Sequence, residues 1–261
     1  MKKSVFLLFI LFLFPLSVFA ESFKVNDLTI DIDSKDFYIF TKESLTKDNN
    51  EENIDELGIS TKELVEFMNE NNIYLDSVKL AEDEKDCIEV FIKIIPIKAK
   101  NVKNLHNYSN SEIKELENEL FNEYETSNNA ILKYNDYKYI YAEYNDLDYN
   151  ILQYVTIING NYYSLLSQKI NKYTSEEKDL IKKMAKSMKF KINSKYEIKS
   201  TSDIKNTIWT SIIVASITGV IVSLTPLLKK KEKVNTLENQ VVPEQNNNIP
   251  AETNNNNNNT L

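Results

Sequence analysis

The most constraining feature of this chain is an uncharged stretch near its C-terminal end, residues 208–228, which reads IWTSIIVASITGVIVSLTPLL. At a helical rise of about 1.5 Å per residue it would extend roughly 30 Å, the thickness of the hydrocarbon core of a bilayer. Its Ser and Thr hydroxyls can hydrogen-bond to the preceding helical turn, so a lipid environment tolerates them. We predict a transmembrane helix over residues 206–228. A buried core helix is the alternative.

The residues that flank this stretch predict its orientation. Lys229, Lys230 and Lys231 follow it directly, and Lys233 comes shortly after. Positively charged flanks stay on the cytoplasmic side, whereas an amphipathic ring such as that of Trp209 suits the opposite interface. The chain is therefore expected to contact membrane lipid through one helix, with its N-terminal domain outside the cell.

Residues 1–20 have the pattern of a signal peptide. Lys2 and Lys3 precede an apolar run that ends at Phe14, and Pro15 leads to a small residue at Ala20. The apolar run is about half the length that a membrane span needs. We predict cleavage after Ala20, and retention of the segment as an anchor is the alternative.

The tail over residues 229–261 predicts no packed structure. It has no aromatic residue and ends in an Asn run, so it buries too little apolar surface to offset the entropy of ordering its backbone. We expect a disordered, Asn-rich cytoplasmic segment. Residues 21–205 then remain as one extracytoplasmic domain.

Charge and cysteine content exclude some classes of function. The chain has a net charge of -8, a single Cys and a single His. A net negative charge repels nucleic acid, so no nucleic-acid partner is expected. One Cys cannot form an intramolecular disulfide. The Lys- and Asn-rich composition without Arg suggests an AT-rich genome, as in low-GC Gram-positive bacteria.

Three amphipathic helices are predicted, each beginning at a capping box in which a Ser or Thr is followed three residues later by Glu. The boxes are Ser60 with Glu63, Ser109 with Glu112, and Thr174 with Glu177. Apolar residues recur at helical spacing on one face of each helix. Each helix is therefore expected to pack on a flat apolar surface.

Eight strands are predicted from runs rich in Ile, Val and Tyr. They are Leu28–Ile32, Phe37–Phe40, Ile73–Leu80, Ile88–Ile95, Ala130–Tyr134, Tyr137–Tyr144, Ile151–Ile158 and Tyr162–Gln168. Asn135-Asp136 and Asn159-Gly160-Asn161 lie where tight hairpins would turn, so the last strands should form an antiparallel meander. The fold class is α+β, an antiparallel sheet covered by helices.

Two stretches resemble the PsbP-like family. Residues 154–190 have a strand, a turn, a strand, a T-x-E-E cap and a helix ending in S-M-K-F, and residues 56–80 are similar to the first helix and following strand of exported Gram-positive versions. The fold is shared with an extrinsic photosystem subunit and a Ran-binding nuclear import factor. The resemblance implies an α/β/α sandwich that binds a partner protein, with no shared catalytic residue. The predicted membrane helix and the Asn-rich tail depart from the plant-type members.

Motifs for catalysis or cofactor binding are not found in the sequence. With only three Gly residues it has no phosphate-binding loop, and the lone His106 lies in a polar stretch typical of a solvated loop. Residues 146–150 imitate the start of a calcium loop, but Ile151 and Ile157 stand where such a loop needs Gly and Glu. No cofactor, metal site or catalytic residue is predicted. Paired carboxylates brought together from distant positions would need no motif, so an enzyme stays an alternative.

Tyr137, Tyr139 and Tyr141 are the candidate binding surface. They share one face of a predicted strand, and rings with a polar tip stack on sugars or anchor protein partners. Packing of these rings in the core beneath a helix is the alternative. We therefore expect a non-catalytic binding domain for a protein or glycan, held at the membrane. An envelope sensor or accessory subunit of a membrane complex, and a carboxylate-dependent hydrolase, are the alternatives.

Overall fold

The computed structural model of the chain describes residues 20–45, 60–98 and 102–197. The strands are β1 Glu21–Val25, β2 Leu28–Ile32, β3 Tyr38–Thr41, β4 Ile73–Lys79, β5 Ile88–Pro96, β6 Thr126–Tyr134, β7 Tyr137–Asp146, β8 Tyr149–Ile158, β9 Asn161–Lys169 and β10 Lys189–Phe190. The helices are α1 Lys42–Leu45, α2 Thr61–Glu70, α3 Asn110–Leu120 and α4 Ser175–Ser187. Single 3-10 turns lie at Glu84–Asp86, Leu105–Asn107 and Ser194–Tyr196.

The predicted membrane segments and tail lie outside the described residues. This holds for residues 1–19 of the signal peptide, for the spanning stretch with Trp209, for Lys229, Lys230 and Lys231, and for the rest of the tail. Within the described ranges, no helix has both the length and the apolar character required to cross a membrane.

All three predicted capping boxes are confirmed, at the first turns of α2, α3 and α4. In α4, for example, the Thr174 hydroxyl accepts a hydrogen bond from the Glu177 backbone N–H, and the Glu177 carboxylate accepts one from the Thr174 N–H at 2.7 Å. Each box satisfies backbone donors that the helix itself leaves unpaired. The local sequence thus determines where these helices begin.

The main sheet has seven strands in the order β3-β4-β5-β9-β8-β7-β6, and every neighbouring pair is antiparallel. The predicted meander is confirmed over β6 to β9. Its turns contain Asn135 at φ 54°, Asn159 at φ 53° and Gly160 at φ 74°. Asn and Gly tolerate this left-handed backbone, which is why they mark the hairpins.

The sheet is buried on both faces. On the first, the α2/α3 face, Leu64 and Met68 of α2 and Ile113 and Leu116 of α3 pack over the strands. On the second, the α4 face, α4 and the small sheet of β1, β2 and β10 cover the strands. The predicted α+β class, an antiparallel sheet with helices on both faces, is confirmed.

The sequence predicts β2 as a strand but neither of its partners in the small sheet, β1 and β10. The short helix α1, outside this sheet, is also not predicted. β10 has two residues and pairs with β2 only at Leu28 and Thr29. Its backbone becomes extended because α4 ends at Ser187 and the chain returns beside β2. Such a short strand has no sequence pattern of its own.

Candidate functional site

The three candidate tyrosines lie on the α4 face of β7, beneath α4 and the small sheet. Tyr139 is 0% exposed and Tyr141 is 8% exposed. Tyr137 is half-buried, its hydroxyl donates to the Phe190 carbonyl at 3.1 Å, and its ring meets that of Phe190 edge-on. The expectation of an accessible tyrosine strip is therefore corrected, because α4 and β10 fold over the face on which these rings lie.

Neighbouring rings pack on these tyrosines across the strands. The ring centroids of Tyr139 and Tyr134 are 5.7 Å apart, and those of Tyr141 and Tyr154 are 4.7 Å apart. Burial raises the pKa of Tyr139, Tyr141 and Tyr154. The arrangement is the cross-strand aromatic packing that was the alternative from sequence.

An unexpected pair of carboxyl groups is buried on the other face of the main sheet. Asp76 of β4 is 0% exposed and Glu89 of β5 is 1% exposed. They are diagonal neighbours on one face of the sheet, since Asp76 pairs with Phe91 and Glu89 pairs with Val78. Phe91 and Val78 belong to the core under α2 and α3, so both acids point to the α2/α3 face. We call them the acid pair.

The two acids differ in how their oxygens are satisfied. Glu89 accepts a hydrogen bond from the Gln168 side-chain amide at 3.0 Å. Neither carboxylate oxygen of Asp76 has a hydrogen-bond partner among the described residues. An unpaired buried polar group costs about 1–3 kcal/mol, and native proteins contain few of them.

Burial is the main reason why the pKa of Asp76 lies well above its ordinary value, and the nearby charge of Glu89 raises it further. A smaller opposing effect comes from the Ser77 backbone. Asp76 therefore favours its protonated, neutral form. Lys93, two residues beyond Phe91 on β5, is 5% exposed, and burial lowers its pKa.

A hydrogen-bonded network continues the polar character across the same face. Gln153 of β8 accepts from the Tyr144 hydroxyl at 2.8 Å and donates to Ser164 Oγ at 2.8 Å and to the Tyr162 hydroxyl at 3.2 Å. We call the buried polar side chains of this face the polar band. It consists of Asp76, Glu89, Lys93, Tyr144, Gln153, Tyr162, Ser164 and Gln168.

The polar band can hydrogen-bond a polar ligand, and its unpaired member Asp76 could accept from a ligand that donates hydrogen bonds. Of the described residues, no three His, Cys, Asp or Glu side chains are grouped so that they could hold a metal ion. Residues 146–150, which imitate the start of a calcium loop, span the turn between β7 and β8, and Leu147 lies in this turn with a positive φ. Asp86, at the end of the 3-10 turn before β5, forms an ion pair with Lys169 at 3.0 Å.

A second polar cluster fastens residues 191–197, the C-terminal strap, to one end of the sheet. Asn159 donates through its side-chain amide to the Lys191 carbonyl at 2.7 Å and to Asp27 Oδ2 at 3.0 Å. Its side-chain oxygen accepts from the Asn193 backbone N–H at 2.9 Å. The strap is therefore attached to the β8–β9 turn by one asparagine.

The far end of the strap is held through Glu197. Its carboxylate contacts His106 Nε2 at 3.2 Å and accepts from the Asn107 amide at 3.3 Å, and Asn104 donates to its other oxygen. Partial burial raises the pKa of Glu197, but the hydrogen bonds from these side chains outweigh it, so the pKa is lowered. His106, expected in a solvated loop, is half-buried in this cluster.

Gly160→Ala is expected to loosen the strap. An added Cβ would lie 2.9 Å from Tyr196 Cε1, and the positive φ of 74° strains any L side chain. We expect a loss of about 1–2 kcal/mol in the free energy of unfolding and faster amide hydrogen exchange over residues 191–197. Asp136→Ala, in the turn between β6 and β7, is the matched control and should leave the strap unchanged. Equal exchange in both variants would contradict this role of Gly160.

Comparisons with known proteins identify no family. No protein-family model matches the chain, and no curated protein matches it. Among solved structures it is similar to cyanobacterial PsbP (CyanoP) from Synechocystis, with 10% sequence identity, a TM-score of 0.39, and 66% of this chain and 92% of that chain covered. That protein bears the family name of the sequence resemblance. At this TM-score the likeness carries no argument about function.

The acid pair escaped prediction from sequence because its members interrupt otherwise apolar strands. In β5, Glu89, Phe91 and Lys93 alternate with Val90 and Ile92, a pattern typical of a strand with one solvated face. The available signal was a charged residue inside each of two neighbouring strands. Only the packing of α2 and α3 over that face turns these charges into buried groups.

Proposed function

We propose that this chain is a single-pass membrane protein whose extracytoplasmic domain binds a ligand without catalysing its conversion. The apolar stretch over residues 208–228 and the lysines that follow it support the anchor. The strap supports a short connection between the domain and the anchor, because it holds the chain against the domain up to Glu197, shortly before the predicted span. The PsbP-like resemblance, with its partner-binding sandwich, is consistent with a binding role.

The observation that carries the binding role is the unpaired carboxyl group of Asp76 in the polar band. Interactions that lower stability without a local gain tend to be found at functional sites. A ligand with a positive charge and N–H donors would favour the ionised form of Asp76 and satisfy both of its oxygens. The proposed site therefore lies between the main sheet and α2.

A carboxylate-dependent hydrolase is the second candidate, because two buried acids within electrostatic reach are also an arrangement of acid catalysts. Binding is favoured over it because the unpaired oxygens of Asp76 call for hydrogen-bond donors whether or not a reaction follows, and the sequence has no catalytic motif. The raised pKa of Asp76 also disfavours the ionised form that a carboxylate nucleophile needs.

Native mass spectrometry tests the proposal on the full chain extracted from its own membranes in mild detergent. The protein should be recovered in the membrane fraction and carry a bound small molecule. Asp76→Asn should lose that added mass, because the amide cannot accept hydrogen bonds through both of its side-chain atoms. Asp148→Asn, at an exposed turn position, should retain it.

Other outcomes would count against the proposal. The same added mass in the parent and in Asp76→Asn would place the ligand elsewhere. A whole protein subunit co-purifying in place of a small molecule would favour an accessory subunit of a membrane complex. Recovery in the soluble fraction would contradict the anchor.

A further inference from the structure

A second concave site lies on the outer surface of the small sheet, away from the acid pair. It is an open pocket with a volume of about 340 Å³. Three lysines line it, together with polar groups and one acid. The lining residues used below are Lys24, Asn26, Asp27, Thr29, Lys189 and Lys191.

Strand register brings two of these lysines to one point. Lys24 of β1 and Lys189 of β10 are both paired with Thr29 of β2, one from each side. Since neighbouring strands are about 4.8 Å apart, the two lysine backbones lie roughly 10 Å from each other across the Thr29 hydroxyl. Two flexible ammonium groups can therefore converge on one ligand above Thr29.

Three lysines line this one pocket although the chain as a whole carries a net charge of -8. Lys24, Lys189 and Lys191 are exposed, and among the described residues none of them forms an ion pair. The one lining acid, Asp27, has its Oδ2 occupied by the Asn159 amide at 3.0 Å. The lining therefore carries three positive charges against one negative charge.

The pocket adjoins the strap. Lys191 is the first residue of the strap, and its backbone N–H donates to the Asp27 carbonyl at 2.8 Å. Ten residues lie between Glu197 and Ile208, where the apolar stretch begins, and even fully extended this segment reaches about 40 Å at most. If the proposed anchor holds, Glu197 stays within this distance of the membrane, and the pocket adjoins the other end of the same strap. Its chemistry does not depend on the anchor.

We infer that this pocket binds a phosphate group. Ammonium groups, a hydroxyl and the N–H groups of an asparagine amide can all donate hydrogen bonds to a bound oxyanion, and the charge-assisted bonds from ammonium groups are among the stronger ones. A phosphate group can come from an anionic phospholipid headgroup or from a free phosphate. The charges of the pocket suit both sources.

Two measurements on the full chain distinguish the sources. Calorimetric titration in detergent with inorganic phosphate measures binding of the free anion. Hydrogen exchange in nanodiscs of phosphatidylglycerol, compared with discs of phosphatidylcholine, measures protection of β1, β2 and β10 by an anionic headgroup. The test variant is Lys24→Gln with Lys189→Gln. The charge-matched control is Lys182→Gln with Lys183→Gln, two exposed positions of α4.

For at least one source we expect binding that the test variant weakens about tenfold or more, that the control leaves unchanged, and that added salt diminishes. Phosphate binding without headgroup protection would assign the site to a free phosphate, and protection without phosphate binding would assign it to lipid. Absence of both in the parent would overturn the inference. Equal weakening in the test and control variants would also overturn it, because net charge alone would then explain the effect.

Discussion

Replacing Tyr139 by alanine is expected to lower the free energy of unfolding by about 3–5 kcal/mol. The ring is fully buried on the α4 face and contacts Tyr134, so truncation removes its packing and leaves a cavity beneath α4 and the small sheet. For a domain of this size the melting temperature should fall by roughly 10 °C. Thermal denaturation of the purified chain, followed by near-UV circular dichroism, measures this loss.

Tyr139→Phe is the matched control. It keeps the ring and removes a hydroxyl that has no hydrogen-bond partner among the described residues. We expect no loss of stability, and a gain of up to about 1 kcal/mol, because an unsatisfied buried group is removed. If the alanine variant melted with the parent, the ring would not be part of the core, and the tyrosine binding surface predicted from sequence would be restored.

Asp76→Asn is expected to change how stability depends on pH. The folded state holds the Asp76 proton more tightly than the unfolded chain does, because burial and the charge of Glu89 raise its folded pKa. In the parent, this group therefore lowers the free energy of unfolding as the pH rises from roughly 4 towards the raised value. Asparagine does not titrate, so the variant lacks this contribution.

The difference between variant and parent isolates this effect, since carboxyl groups with lowered pKa values, such as Glu177 and Glu197, affect both proteins alike. Above about pH 4 the difference should shift in favour of the variant by up to about 1.4 kcal/mol per pH unit. Urea unfolding at a series of pH values measures it. Asp148→Asn, which removes an exposed carboxyl group, is the matched control. A difference for Asp76→Asn no steeper than that of the control would show that the Asp76 carboxyl group is not buried unpaired.

Local sequence determined much of this protein. Ser60, Ser109 and Thr174 begin their helices because a cap and its Glu partner are complete within four residues. Asn135 and Asn159 mark hairpins because few other residues tolerate their backbone. The predicted span over residues 206–228 and the predicted signal peptide likewise rest on local composition, and they stay predictions.

Tertiary structure decided which side chains of each strand became core or site. The alternation of β7 predicts that Tyr137, Tyr139 and Tyr141 share a face, but only the return of the chain through α4 and β10 covers that face. Likewise, Asp76 and Glu89 are ordinary strand residues until α2 and α3 exclude water from them. A strand pattern states which residues point the same way. Burial, and with it every pKa shift and unpaired group, depends on elements that arrive from distant parts of the chain.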